Sequence, residues 1–175
     1  MISKQHFIPF YTINKLDIHN RLLIIPIEWR LVIIGQGSLT QNSNSITGEK
    51  TYIHLISQKT RINKQNYLKN NITRQVWIKN KKEKKLVFAE SHWNQSNAFF
   101  THLTSKQAIG KSLIEFEMDF YKEIHQIQYG YSYILWKAFE TEAPIWSRKY
   151  TIWHDYKPLV TIKEFFSHKL IKHLK

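Results

Sequence analysis

One arginine lies on a strand face that otherwise carries only aliphatic side chains. Residues 72–78 alternate in the pattern of a β-strand, which places Ile72, Val76 and Ile78 on the same face as Arg74. A guanidinium on such a face is costly unless an anionic group meets it. Its planar fork of donors suits a carboxylate, which it can bind through two parallel hydrogen bonds. Arg74 is therefore a candidate for binding an acid.

A glutamate, Glu164, occupies a comparable position in the last predicted strand. Alternation there places Val160, Ile162 and Phe166 on the face that carries Glu164. The pattern alone leaves two interpretations open. Arg74 and Glu164 could form a buried ion pair, which repays its desolvation only with good geometry and further hydrogen bonds. They could instead lie in a closed ligand pocket, where Arg74 binds a carboxylate and Glu164 bonds a hydroxyl or ether oxygen at the other end of the ligand.

Other catalytic chemistries find no support in the sequence. The chain has no cysteine, which excludes disulfides, thiolate metal sites and cysteine nucleophiles. Its 9 histidines are scattered and show no His-Glu-x-x-His spacing, so the sequence does not indicate a metal enzyme. No Ser/His/Asp set and no pair of acids has a recognisable spacing. We therefore expect no bound metal.

The elements that must position the two charged residues are mainly strands. Gly35 to Thr40 is predicted to be a sharp loop whose backbone N–H groups could hold an anion. Residues 26–34 have proline near the start and glycine after the end, which favours a helix, although their β-branched content leaves a strand as an alternative. The patterns predict strands over 51–60, 72–78, 86–91, 116–127, 145–153 and 159–166. They also predict helices over 104–112 and 132–140. The first of these helices is expected to be capped near Thr104 or Ser105 and broken at Gly110.

The length and composition fit one folded domain. The chain has 175 residues, of which 42% are hydrophobic and 14% aromatic, enough for a sizeable core. We expect residues 26–167 to form this domain, residues 1–25 an N-terminal arm, and residues 168–175 a frayed basic tail. The longest apolar run, residues 22–34, is interrupted by charges and is too short to span a membrane. No signal or transit peptide is recognisable.

The net charge of +13 has two interpretations. It could reflect an acidic partner, either nucleic acid or a small polyanion. The lysines lie mainly in turns and near the ends, however, and they accompany many isoleucines and asparagines. Heavy use of these three residues is typical of an A+T-rich genome such as that of an organelle. We therefore attribute most of the charge to codon bias rather than to a functional basic surface.

Six short motifs follow one another in a distinctive order and spacing. They are Gly37-Ser38-Leu39-Thr40, the strand from Arg74 to Ile78, Phe88-Ala89-Glu90-Ser91, Ala108-Ile109-Gly110, Arg148-x-Tyr150, and Lys157-Pro158-Leu159 leading to Glu164. Over about residues 27–167, this order resembles the chorismate pyruvate-lyase family, and especially its branch of plastid-encoded algal proteins.

The resemblance implies an α+β domain whose antiparallel β-sheet carries helices and loops that close over an internal ligand pocket. Members of the family eliminate pyruvate from chorismate and leave 4-hydroxybenzoate, without a metal or an organic cofactor. The family's carboxylate-binding arginine falls on Arg74, and backbone N–H groups near Leu39 and Ile109 assist it. Glu164 falls near the 4-oxygen, where it could donate a hydrogen bond if protonated or assist proton removal if ionised. Alternation selects the same two charged residues, so we favour the pocket over a structural ion pair.

The expected partner is a small aromatic carboxylate, chorismate or a hydroxybenzoate, bound by a soluble, monomeric plastid protein without a membrane span. No nucleic acid is expected as a partner. Two alternatives stay open. The same architecture resembles the ligand-sensing domains of some bacterial transcription regulators, which would make the chain a non-catalytic binding domain. A nucleic-acid-binding protein is suggested only by the net charge, since the lysines lack the interleaved aromatic residues of an RNA-recognition pattern.

Overall fold

A seven-stranded antiparallel sheet forms the frame of the molecule. The structure, a computed structural model, describes residues 7–61, 70–94, 100, 107–115, 117 and 119–174. The strands lie side by side in the order β1-β5-β6-β7-β4-β3-β2, and each neighbouring pair is antiparallel. Their bounds are β1 Ile8–Asn14, β2 Tyr52–Arg61, β3 Asn71–Lys79, β4 Lys85–Asn94, β5 Tyr121–Tyr131, β6 Ile145–His154 and β7 Lys157–Phe166.

The helices are short and cover both faces of the sheet. Helices α2, α3 and α4 pack on one face, called the inner face below, because their buried side chains join clusters with inward-facing strand residues. Helix α5 packs on the opposite face against Trp77, Phe88 and Phe165. The bounds are α1 Ile18–Arg21, α2 Ile27–Ile33, α3 Leu39–Thr47, α4 Ile109–Glu115 and α5 Tyr133–Phe139, with 3-10 helices at Lys15–Asp17, Leu22–Ile24 and His168–Leu174.

The α+β fold class and the strand pairs that carry Arg74 and Glu164 are confirmed. Three boundaries were wrong. Strand β4 continues through His92 to Asn94, and β5 runs from Tyr121 to Tyr131 instead of covering 116–127. Helix α4 begins at Ile109, so Gly110 lies in its first turn and does not break it. The predicted cap at Thr104 or Ser105 lies outside the described residues.

Two segments expected to lack regular structure contain elements. Residues 8–14 form the edge strand β1, which pairs with β5 and buries Ile13 completely. Alternation did not reveal it because Ile8 and Phe10 are exposed, so the strand has no consistent apolar face. The C-terminal segment was expected to be frayed, but it forms a 3-10 helix in which Leu170 and Ile171 are buried. The boundaries of the domain itself stay a prediction.

Helix α3 was also missed, because its start was assigned to the Gly35–Thr40 loop. Its sequence, Leu39–Thr47, is rich in Ser, Thr and Asn, which have poor helix propensity. Packing stabilises it, since Leu39, Thr40, Ser43 and Thr47 are buried. It ends at Gly48, whose φ of 64° is a left-handed conformation that glycine adopts without strain.

Within the described residues, no helix has the length and apolar character needed to cross a membrane.

Replacing Gly130 by alanine is expected to destabilise the fold by about 1–3 kcal/mol. A Cβ at this position would lie 2.3 Å from the carbonyl oxygen of Ile8, so β1 could not keep its pairing with β5. Chemical denaturation measures the effect. Gly48→Asn is the matched control, because a Cβ there meets no atom within 4 Å and asparagine tolerates a positive φ. Equal stability of Gly130→Ala and the unmodified protein would contradict the prediction.

Candidate functional site

The floor of the candidate site is built from parallel rows of inner-face side chains that cross the sheet. One row contains Val76 on β3, Ala89 on β4, Glu164 on β7 and Arg148 on β6. The next row contains Arg74, Ser91, Ile162 and Tyr150 on the same four strands. Antiparallel register fixes these rows because every second residue of a strand faces the same side. Ala89 and Ser91 are the short side chains at the centre, so β4 leaves space above the sheet.

Glu164 forms a buried ion pair with Arg148, not with Arg74. The Nε atom of Arg148 donates to Oε2 of Glu164 at 2.6 Å, and the hydroxyl of Tyr150 donates to Oε1 at 2.8 Å. All three residues are at most 3% exposed. Burial raises the pKa of Tyr150 well above its usual value, and the charge of Glu164 raises it further, so Tyr150 keeps its proton at neutral pH.

Arg148 also links the end of α2 to the sheet. Its Nη1 atom donates to the carbonyl oxygens of Val32, Ile33 and Gly35, at 2.8, 2.9 and 3.2 Å. These carbonyls lie at the end of α2. The last carbonyl groups of a helix have no hydrogen-bond donor within the helix, and a positive charge beside them is favourable. Burial is the largest single effect and would lower the pKa of Arg148, but the charge of Glu164 and the other interactions with Glu164 and Tyr150 together outweigh it, so the pKa is raised. Arg148 is thus a charged structural link between β7 and α2.

Arg74 lies at the β3 side of the floor and is 2% exposed. Its Nη2 atom donates to the carbonyl oxygen of Gln107, at 2.9 Å, just before α4 begins. Burial lowers the pKa of Arg74, but a guanidinium starts from such a high value that it stays charged at neutral pH. The arrangement holds a positive charge at one end of the cavity.

A second cation, Lys122, lines the opposite, β5 side of the cavity. Its ammonium group donates to the carbonyl oxygen of Gly37 and lies 5.2 Å from the centre of the Tyr150 ring. Burial and the nearby charge of Arg148 lower the pKa of Lys122 to about 8, although Glu164 acts in the opposite direction. Lys122 therefore carries most of a positive charge at neutral pH and loses it in mildly alkaline solution.

The starts of two helices cover the charged floor. Leu39 begins α3 after Ser38, and Ile109 begins α4 after Ala108. The first N–H groups of a helix have no partner within it, so they can receive an anion that is also held by a side chain. Seventeen residues line the cavity, which has a volume of about 50 Å³.

All four residues selected from the sequence, Arg74, Glu164, Leu39 and Ile109, line this one cavity. Their individual roles stay predictions. Sequence reasoning missed Arg148 as the partner of Glu164, although Arg148 and Tyr150 share an apolar strand face and belong to one motif. It also missed Lys122. In the part of the chain that the structure describes, no group of three acidic or histidine side chains could hold a metal ion.

The antiparallel sheet and its covering helices define an α+β domain with a charged cavity. The family model described as chorismate pyruvate-lyase Rv2949c-like matches residues 33–174, and the chain belongs to this family. Its resemblance to the chorismate pyruvate-lyases is therefore confirmed.

Relatives of similar length share much of the sequence. The uncharacterized protein ycf21 of Porphyra purpurea is 40% identical over 143 residues, which cover 82% of each chain. The protein of the same name from Antithamnion sp. is 38% identical over 174 residues, 98% of this chain and 96% of the relative. The similarity thus extends over nearly the whole chain.

Solved structures share the fold at low sequence identity. The effector domain of PhnF from Mycobacterium smegmatis has a TM-score of 0.56 at 6% identity and covers 76% of this chain and 90% of its own. The possible transcriptional regulator YydK from Bacillus subtilis has a TM-score of 0.55 at 12% identity, covering 78% of this chain and 65% of its own. At these identities the comparison establishes the fold alone.

Proposed function

We propose that the protein is a chorismate lyase-like enzyme that eliminates pyruvate from chorismate and leaves 4-hydroxybenzoate. The observation that carries the proposal is the convergence of Arg74, Glu164 and two helix starts on one cavity in a chain of this family. Arg74 binds the ring carboxylate, assisted by the backbone N–H groups at Leu39 and Ile109. Glu164 accepts a hydrogen bond from the 4-hydroxyl group at the other end of the ring.

The reaction needs orientation and charge stabilisation more than a strong catalytic base. The bond between ring carbon 3 and the ether oxygen breaks, ring carbon 4 loses its proton, and the ring becomes aromatic. The released enolpyruvate gains a proton at its methylene carbon and becomes pyruvate, so the atoms balance without a cofactor. Aromatisation makes the reaction strongly downhill, and a fixed environment lowers the barrier by positioning the substrate and stabilising the leaving group.

The contacts of Glu164 support a positioning role for its carboxylate. Both oxygens already accept hydrogen bonds, from Arg148 and from Tyr150. Each carboxylate oxygen can accept more than one bond, so the ligand hydroxyl can be added to this network. Glu164 then fixes the ring relative to Arg74, and the cyclic substrate is held at both ends.

The direct test is to incubate purified protein with chorismate and to measure 4-hydroxybenzoate and pyruvate together. We expect equal amounts of both, formed faster than in the spontaneous reaction. Boiled protein and protein-free samples give the background rate. Folded protein that releases neither compound above this rate would refute the lyase proposal.

Glu164→Gln is expected to reduce turnover of chorismate about 100-fold or more, while the affinity for 4-hydroxybenzoate falls less than about tenfold. The amide keeps the shape of the side chain but removes the charge near the reacting carbon. Pyruvate release measures turnover and titration calorimetry measures binding. The control Glu142→Gln changes an exposed residue of the same type. Equal losses of binding and turnover in Glu164→Gln would count against a role in the reaction.

A non-catalytic binding domain is the second candidate. Two observations favour it: Glu164 is already engaged by Arg148 and Tyr150, and the solved structures with this fold include the effector domain of PhnF. Under this hypothesis the cavity binds a hydroxybenzoate and does not react. Tight binding of 4-hydroxybenzoate together with no turnover of chorismate would identify this function.

We also propose that the protein acts as a soluble monomer in a plastid. The proposal rests on its similarity to the ycf21 proteins of algae and on the codon-bias interpretation of its composition. Its partner is then a small cyclic carboxylate, chorismate or a hydroxybenzoate, and neither a nucleic acid nor a cofactor is required. Fractionation of the source cells and light scattering of the purified protein test location and mass.

A further inference from the structure

Lys122 is a buried cation that the proposed reaction does not yet use. It is 7% exposed, although lysine is among the residues that are least often buried. Its ammonium group has a backbone carbonyl, that of Gly37, as its hydrogen-bond acceptor, and no carboxylate forms a salt bridge with it among the described residues. An ammonium group has three donors, so it can bind a further acceptor in the cavity.

Lys122 and Arg74 stand on opposite sides of the cavity. Lys122 is on β5 and Arg74 is on β3, and three strands, β6, β7 and β4, separate them in the sheet. With neighbouring strands about 4.8 Å apart, their backbones are roughly 19 Å apart, and both side chains extend towards the space between. Glu164, on β7, lies between the two cations. A ligand that meets both must carry its acceptors at opposite ends.

The acid that lines the cavity is already engaged by another cation. Glu164 is the acid among the lining residues, and it forms a salt bridge with Arg148 at 2.6 Å. A buried ammonium group is costly unless an anionic group meets it, and a carboxylate on the ligand would meet Lys122.

We propose that Lys122 binds a second carboxylate, so that the cavity binds dicarboxylates more tightly than monocarboxylates. The inference rests on the proposed function and names the substrate class of the same site. Arg74 receives the carboxylate on the ring, and Lys122 receives the one carried by the ether-linked side chain. In chorismate this second carboxylate departs with pyruvate. The aromatic product lacks it, so the contact with Lys122 favours substrate over product.

The contact depends on pH because Lys122 must be protonated. The charged and titratable groups that face it are Arg148 on β6, Glu164 on β7 and the phenol of Tyr150, with Arg74 across the cavity. The arginines and Tyr150 keep their protons in mildly alkaline solution, whereas the pKa of Lys122 is lowered to about 8. Affinity for a dicarboxylate should therefore be greatest well below pH 8 and should fall as the pH rises through about 8. Affinity for a monocarboxylate should not change in this range.

The experiment compares two stable probes that differ in one charge. The first is 3-(carboxymethoxy)benzoate, which carries a ring carboxylate and an ether-linked carboxylate in the meta arrangement of chorismate. The second is its amide, 3-(carbamoylmethoxy)benzoate, which has nearly the same shape. Titration calorimetry at pH 7 and pH 9 measures both probes on the full chain. The variants are Lys122→Met and, as a matched control, Lys149→Met, which removes an exposed charge on the other face of β6.

We expect the unmodified protein and Lys149→Met to bind the dicarboxylate roughly 10- to 100-fold more tightly than the amide at pH 7. Lys122→Met should bind both probes equally, with the affinity for the amide unchanged, which also shows that the variant is folded. Three results would overturn the inference: no preference in the unmodified protein, the same preference in Lys122→Met, or an equal loss in Lys149→Met.

Turnover separates this inference from the lyase proposal. A preference for the dicarboxylate that depends on Lys122, in a protein that releases no pyruvate from chorismate, supports the inference and refutes the lyase proposal. Release of pyruvate by a protein whose preference for the dicarboxylate survives in Lys122→Met would support the lyase proposal and refute the inference.

Discussion

Replacing Arg148 by methionine is expected to lower the free energy of unfolding by about 3–5 kcal/mol. The change removes the partner of Glu164 and leaves a carboxylate that is 3% exposed without a counter-charge. It also removes the donor to three carbonyl oxygens at the end of α2. Unsatisfied buried polar groups add to the cost. Urea denaturation followed by tryptophan fluorescence gives the free energy.

Two further variants identify the cause of this loss. Lys149→Met removes a neighbouring exposed charge and should change the stability by less than about 0.5 kcal/mol. Arg148→Met combined with Glu164→Met removes both charges and should regain part of the stability, because an apolar pair can replace a buried ion pair at little cost. The α2 carbonyls stay without a donor, so recovery should be incomplete. Equal stability of Arg148→Met and Lys149→Met would show that the contacts of Arg148 do not contribute to the free energy of unfolding.

Replacing Arg74 by methionine is expected to weaken binding of 4-hydroxybenzoate by about 30- to 3,000-fold. Removing one partner of a buried, hydrogen-bonded charge pair typically costs about 2–5 kcal/mol, and each 1.4 kcal/mol is a factor of ten. Turnover of chorismate should fall at least as much, since the same carboxylate orients the substrate. Titration calorimetry and pyruvate release provide the two measurements.

The controls for Arg74 separate charge from geometry. Arg74→Lys keeps the charge but loses the planar fork, so its affinity should lie between those of Arg74→Met and the unmodified protein. Arg61→Met removes an exposed arginine at the end of β2 and should leave binding unchanged. Binding that is unaffected in Arg74→Met would show that the carboxylate is held elsewhere.

The sequence was sufficient to find Arg74 and Glu164 because both lie in regular strands, where alternate residues face the same side. The same rule could have found Arg148, which shares its face with Trp146 and Tyr150 in β6. Lys122 could not be found in this way. The register of β5 against β6 shifts between Ile124 and Gln126, so counting alternate residues back from Ile127 assigns Lys122 to the wrong face.

The elements that the sequence did not reveal are those whose stability comes from tertiary contacts. Helix α3 has weak intrinsic propensity and depends on burial of one side. Strand β1 lies at an edge of the sheet and exposes Ile8 and Phe10, so its periodicity gives no signal. Both segments depend on partners that are distant along the chain, and a local pattern does not contain that information.

The short side chains of β4 determine the space in the cavity but not its charge. Ala89 and Ser91 lie at the centre of the floor, between residues that are larger, and the depth of the cavity follows from them. Neither residue carries a charge. Lengthening either side chain would make the cavity shallower, while Arg74 and Glu164 would keep their places. The space available to a ligand can therefore change through two uncharged positions on one central strand without a change in the charge of the cavity.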